Sequence, residues 1–321
     1  MMWPAFPSIS LSAEQLDPLF AHLSADRLIR GPQKGADGLV RLQPLPAVPR
    51  QTSAQRSFLP LKKLLFPDGD PLWDLTANGY ADPVSPPALL LVDIPLCDLQ
   101  ALAWLDRCFA EDELYRRRRT AVLVVGAPCV PVADCACQPD GLPPGGDLFR
   151  DGRRLWALSP SGAAILQGLA GTRVVETVPL AGPDIDTLMP SISEALFAAN
   201  AGAPLWDEAA ARCLACGACS AVCPTCACYE VLDEARLDGS VTRRRVWDNC
   251  FFPDHARVAG GYDFRAGRGA RLRFRFEHKR LGFGALRGMA SCVGCGRCRR
   301  ACPVGIDLET VARRLVGDLG S

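Results

Sequence analysis

The chain has 321 residues, is 49% apolar and carries a formal charge of +1, which suits two domains with separate cores better than one. Uninterrupted apolar runs such as residues 88–92 fall far short of the ~20 needed to cross a bilayer, and the N-terminus lacks a signal peptide's charged-then-apolar order. The sequence therefore reads as soluble and cytoplasmic, without membrane insertion. Sixteen cysteines exceed what packing explains, and disulfide-dense scaffolds are usually much smaller secreted domains. Metal binding is the first expectation.

In chain order, residues 13–23 carry a helical pattern interrupted by Pro18. Residues 1–50 otherwise give no clear role. An apolar run at 88–92, a helix candidate at 98–109 and a second apolar run at 121–125 read as a βαβ unit with parallel strands. Alternation continues with a strand at 154–158, a helix near 163–169, a strand near 173–178 and a helix over about 190–199. This predicts an N-terminal α/β domain over 1–203. The run Ala201-Gly202-Ala203-Pro204 reads as a linker, after which cysteine density rises. A helical, ferredoxin-like domain is expected over 204–321, making the whole chain α+β.

That second domain carries the chemistry. Cys213, Cys216, Cys219 and Cys223, followed by Pro224, form C-x2-C-x2-C-x3-C-P, and Cys292, Cys295, Cys298 and Cys302, followed by Pro303, repeat the spacing. Three closely spaced thiolates wrap one face of a cubane, and in two-cluster proteins the fourth cysteine of each motif serves the other cluster. The expected ligand sets are therefore crossed. Cys213, Cys216, Cys219 and Cys302 hold one [4Fe-4S] cluster, and Cys292, Cys295, Cys298 and Cys223 hold the second. Gly217, Gly294 and Gly296 permit the tight turns this requires. Paired zinc sites also use C-x2-C, but zinc has no use for the x2, x2, x3 progression. The 68 residues between Cys223 and Cys292 are expected to add helices between the motifs.

Charge is uneven: residues 241–300 hold 15 Lys/Arg against 4 Asp/Glu. Interleaved with aromatics, as in Arg271, Arg273, Phe274, Arg275 and Phe276, such a stretch suits a phosphate backbone in principle. The stronger reading is that these cations neutralise anionic clusters and offer a docking face to an acidic partner. A nucleic-acid-binding iron-sulfur protein is the remote alternative.

Several runs resemble one family closely. They are Cys223-Pro224-Thr225-Cys226-Ala227-Cys228, Arg245-Val246-Trp247-Asp248-Asn249-Cys250, Ala259-Gly260-Gly261, His278-Lys279 and Cys292-Val293-Gly294-Cys295-Gly296-Arg297-Cys298. Upstream, Leu61-Lys62-Lys63-Leu64-Leu65-Phe66-Pro67, Pro95-Leu96-Cys97-Asp98-Leu99, Leu105-Asp106-Arg107, Cys129 and Cys135-Ala136-Cys137 extend the likeness, so it covers about residue 55 to the C-terminus. The chain resembles the iron-sulfur β subunit of cytoplasmic sulfhydrogenases, the NAD(P)-linked nickel-iron hydrogenases, and is similar to the corresponding iron-sulfur subunit of anaerobic sulfite reductase. The resemblance implies a non-catalytic relay. Electrons would pass between a flavoprotein handling NAD(P) and a catalytic redox subunit, of a hydrogenase first and a sulfite reductase as alternative.

The remaining cysteines are weighed on position. Cys97 and Cys129 each follow a strand of the βαβ unit, and ligands favour the crevice outside C-terminal strand ends. With Cys135 and Cys137 they would make a third iron-sulfur set; small buried hydrophobes or a zinc site are the alternatives. Cys226, Cys228 and Cys250 number three, with His255 a fourth candidate for an extra metal centre; tuning of a neighbouring cluster is the other reading. Cys108 reads as core. No Walker A or G-x-G-x-x-G pattern is present, so nucleotide binding has no support.

Overall fold

The computed structural model describes residues 2–50, 54–83, 85–129, 131–136, 143–170, 175–181 and 190–317. In chain order the elements begin with β1 (Met2–Ser10), α1 (Ala13–Ser24), β2 (Leu28–Lys34), β3 (Val40–Pro44), α2 (Lys62–Leu65), β4 (Asp70–Thr76) and β5 (Gly79–Ala81). There follow β6 (Leu89–Ile94), α3 (Leu96–Cys108), α4 (Glu113–Thr120), β7 (Val122–Gly126), β8 (Leu148–Asp151), β9 (Arg154–Ala157), α5 (Pro160–Ala170) and β10 (Glu176–Ala181). The last third contributes α6 (Glu194–Ala199), α7 (Leu205–Arg212), α8 (Ala218–Ala221), β11 (Tyr229–Ala235), β12 (Val241–Trp247), α9 (Arg268–Leu281), α10 (Arg297–Ala301) and α11 (Leu308–Val316). The chain is α+β. No helix among the described residues is long and apolar enough to cross a membrane.

Two compact units divide these elements. The first comprises Met1–Leu65, Val84–Ala133 and Cys137–Asp186, and the second Phe66–Pro83, Asp134–Ala136 and Thr187–Ser321. Where the sequence suggests one cut after Ala203, the units interleave along the chain.

In the first unit an eight-stranded sheet runs β10-β1-β9-β8-β7-β6-β2-β3. The expected βαβ unit is present: β6 pairs with β7 in parallel, Leu89 opposite Val122 and Leu91 opposite Val124. Every residue of β6 is buried, as a near-continuous apolar strand covered on both faces should be. Helix α1 forms across Pro18. Its Gln15 side chain accepts from the Ser12 N–H at 3.0 Å, closing the first turn. Leu16, Leu19, Phe20 and Leu23 then bury on Leu90, Val92 and Leu148. Four such side chains contribute on the order of 1.5–3 kcal/mol each, which outweighs the ~3 kcal/mol cost of an internal proline.

The second unit holds a four-stranded antiparallel sheet, β11-β12-β4-β5. Arg245 on β12 and Asp70 on β4 form a buried ion pair at 3.0 Å, and the Arg245 guanidinium lies over the Phe66 ring at 4.7 Å. This pairing draws 66–83 into the unit. The connection between the motifs therefore contains a β-hairpin and α9, where the sequence suggests helices alone. Against α9 packs an apolar core in which fully buried Phe276 stacks on Phe197 at 6.0 Å and meets Trp206 edge-on at 5.5 Å. Leu272, Leu308, Val311 and Leu315 complete it.

Candidate iron-sulfur centres

Both cysteine motifs fold as a loop that turns twice through the left-handed region and then opens a short helix. In the first, Ala215 (φ 52°) and Gly217 (φ 76°) make the turns before α8; in the second, Gly294 (φ 65°) and Gly296 (φ 68°) do so before α10. A Cβ on Gly217 would stand 2.4 Å from Asn249 Nδ2, and one on Gly296 would stand 2.0 Å from the Asp134 carbonyl oxygen. Ala215 shows that the backbone conformation by itself is tolerated. At Gly296 the carbonyl adds a clash that no rotamer relieves, so Gly296→Ala is expected to destabilise the second motif by about 1–3 kcal/mol. The check is a lower melting temperature with loss of iron from the purified chain, set against unchanged behaviour in Ala215→Gly.

The thiols gather in two sets. Cys213, Cys216, Cys219 and Cys302 line one pocket, whose other walls include Phe251, Leu272, Leu308, Val311 and, from the second motif's set, Cys298. Burial pushes the Cys213 thiol up, and Cys219, Cys302 and Cys216 add to it against an N–H from Ala215. In the other set burial pushes Cys298 up; Arg275 opposes, while Cys292, Cys223 and Cys295 add to the rise. Each group's electrostatic neighbours thus include the fourth cysteine of the opposite motif. Four crowded thiols cannot all ionise without a cation among them, and iron supplies it. The donor set fits two cubanes. Backbone N–H groups already aim at ligand sulfurs, from Ala215 to Cys213 Sγ at 3.4 Å and from Ile306 to Cys302 Sγ at 3.2 Å.

Helix α9 brings cations to the same place. Arg271, Arg275 and Lys279 recur every four residues, so they share one stripe of the helix, and all three are buried. Arg271 is held by Asp263 at 3.0 Å. Arg275, only 3% exposed, donates to Ser220 Oγ at 2.8 Å, the Cys219 carbonyl at 3.0 Å and Cys226 Sγ at 3.0 Å. No carboxylate among the described residues pairs with it. Burial works against its charge, yet Cys219, Cys226, Cys223 and Cys250 outweigh that and raise its pKa. Lys279 donates to Thr225 Oγ1 at 2.8 Å, and Cys223 and Cys226 likewise raise its pKa against burial. A buried cation needs an opposing charge, and the surrounding cysteine sulfurs are the groups placed to supply it. Arg271, Arg275 and Lys279 are turned inward, so this stripe of the basic stretch is not a phosphate track. His278, between the rings of Phe274 at 4.0 Å and Phe283 at 4.6 Å, is held neutral: burial, then Lys279, lowers it to about 4.

Cys226 has a role that spacing alone leaves open. Its thiol hydrogen-bonds Cys223, which, with Lys279 and Arg275, holds Cys223 well below the usual thiol range against burial. It thus sits behind an expected ligand and supports that ligand's charged form. Cys250 is buried and its thiol is pushed up to about 11 by burial, with Cys228 and Cys219 adding. His255 is engaged through Nδ1 with Asp248. Asn249 is a residue that sequence reasoning misses. Buried, it donates from Nδ2 to the Gly217 carbonyl at 2.9 Å and accepts from the Phe251 N–H at 3.1 Å, locking the first loop, and nothing in its spacing signals that.

Cys97 is buried in the first turn of α3, and Cys129 follows β7, bridged to Ala54. Both belong to the first unit. Cys135 belongs to the second, beside Ala136, whose N–H donates to the Gly294 carbonyl at 2.8 Å. Cys137 lies outside the described residues.

Comparison with known proteins agrees with the two thiol sets. Residues 212–306 match the model of a 4Fe-4S dicluster domain, a span that runs from the first motif through the second. Over 274 residues the chain is 30% identical to sulfhydrogenase 2 subunit beta of Pyrococcus furiosus, covering 78% of this chain and 81% of that protein. The chain belongs to the sulfhydrogenase β-subunit family. No solved structure matches it. It is an iron-sulfur electron-transfer subunit with two [4Fe-4S] clusters, groups that take up and release single electrons. What the chain itself adds is a dry, cation-lined setting on α9, since buried positive charge and N–H groups aimed at sulfur favour the more reduced, more negative state.

Proposed function

We propose that this chain relays electrons between the catalytic subunit of a cytoplasmic nickel-iron hydrogenase, of the sulfhydrogenase type, and a flavin-containing partner that handles NAD(P). Cys213, Cys216, Cys219 and Cys302 hold one cluster in this reading, and Cys292, Cys295, Cys298 and Cys223 the other. The observation that carries it is the placement of two four-cysteine sets beside Arg275, a buried cation that donates to Cys226 Sγ and the Cys219 carbonyl. Such a setting suits conduction through the clusters. Affinity purification of the tagged chain from its native cells under anaerobic conditions tests the relay. The expected companions are a flavoprotein and a nickel-containing protein. A siroheme protein in place of the latter moves the assignment to a sulfite reductase, and recovery of the chain alone with NAD(P)-dependent turnover overturns it.

The set Cys97, Cys129, Cys135 and Cys137 extends the proposal to a third cluster. Anaerobic reconstitution followed by iron and acid-labile sulfide analysis is then expected to find about twelve irons per chain, three cubanes' worth. A plateau at about eight limits the chain to the two dicluster centres.

A further inference from the structure

The two thiol sets differ in their access to solvent. Cys216 is exposed and the neighbouring Leu214 is 60% exposed, whereas Cys223 and Cys295 in the other set are buried. Two exposed arginines border the first set. Arg268 donates from Nη1 to the Cys213 carbonyl at 2.7 Å, and Arg212 donates to the Val304 carbonyl. Cys213 and Val304 both line the pocket, so each guanidinium is pinned to its wall. No carboxylate among the described residues pairs with Arg212 or Arg268. Elsewhere in the basic segment Arg243, Arg244, Arg271 and Arg287 each have a carboxylate partner.

We propose that this mouth is the chain's port for electron exchange with an acidic redox protein, and that the cluster assigned to Cys213, Cys216, Cys219 and Cys302 is the terminal one. The inference rests on the relay reading and adds to it an order and a partner chemistry. An apolar knob ringed by arginine is the make-up of a protein-docking patch. Carboxylates on the partner would meet guanidinium groups that lack an internal counter-charge, which favours fast, salt-sensitive encounter. Each encounter moves one electron, with no bond made or broken and no proton displaced, so that what the donor loses the acceptor gains. The other set, in which Cys223 and Cys295 are buried and none is exposed, is the inner station.

The test uses the full reconstituted chain and the double variant Arg212→Glu, Arg268→Glu, with Arg212→Gln, Arg268→Gln as the milder pair. Iron content and the EPR signals of the two dicluster centres, assigned by their shifts in Cys216→Ser and Cys295→Ser, are measured first. If the wild type lacks them, the cluster reading itself fails, independently of the port. With both present, the anionic dysprosium–EDTA complex is added and the relaxation of each signal recorded. The expected result is strong enhancement for one signal, the one whose g values shift in Cys216→Ser, and loss of that enhancement in the Glu pair. The rate of electron exchange with an acidic ferredoxin is expected to fall with salt and to drop about tenfold in the Glu pair, as lost steering predicts. Equal enhancement of both signals, an unchanged rate in both variants, or faster exchange with a basic cytochrome than with the ferredoxin overturns the proposal.

Discussion

Replacing Arg275 by glutamine is expected to cost the second unit about 3–5 kcal/mol, the range for removing one partner of a buried charge pair. The guanidinium spans Ser220 Oγ, the Cys219 carbonyl and Cys226 Sγ, so the substitution strands three buried groups as well as the sulfur charge. Anaerobic thermal unfolding and retained iron measure the first effect. An EPR-monitored redox titration measures the second: with a nearby positive charge gone, adding an electron is less favourable and the midpoint potential of any cluster that survives moves negative. Arg275→Lys is expected to restore most of the potential and less of the stability, because an ammonium keeps the charge and not the three-way fork. An unchanged potential in Arg275→Gln would show that the cation serves packing alone.

Removal of single ligands gives the other large effect, and its pattern matters more than its size. In the crossed arrangement Cys302→Ala depletes the cluster of the first motif and Cys223→Ala that of the second, each taking about four irons. Combining Cys302→Ala with Cys213→Ala should then lose little more iron than either alone, since both act on one centre. Cys302→Ala with Cys292→Ala should lose both clusters. An uncrossed arrangement reverses these two outcomes, and iron analysis with EPR spin counting distinguishes them.

How far the sequence reveals this architecture depends on the kind of signal each element carries. The βαβ unit is legible because β6 and β7 are short apolar runs separated by a helical stretch, here α3 and α4, and their burial follows from that pattern. The cysteine motifs are legible because ligand spacing is itself the constraint. Strand β11 is not. Its Tyr229-Glu230-Val231-Leu232-Asp233-Glu234-Ala235 run has the composition of a helix surface. It is a strand because Asp233 and Glu234 meet Arg243 and Arg244 of β12 at 2.6 Å, cross-strand pairs that no local window contains. The interleaved units are hidden for the same reason: the Asp70–Arg245 pair joins residues 175 positions apart. The stripe of Arg271, Arg275 and Lys279 is visible as a basic run, but its direction is not. A charged helix face normally turns to water, and here Asp263 beside Arg271 and cysteine sulfur beside Arg275 and Lys279, all from other segments, reverse that rule.

Arg275 also bears on how the protein matures. Before iron arrives, α9 would have to bury a guanidinium against thiols that mostly hold their protons, and the cost of doing so opposes docking of the helix. Cluster insertion would remove that obstacle, so the last step of folding would wait on the cofactor. A chain that reaches its partners half-loaded is thereby a loosely packed one, open to proteases, and the same buried charge that favours conduction acts as an inspection point for complete assembly.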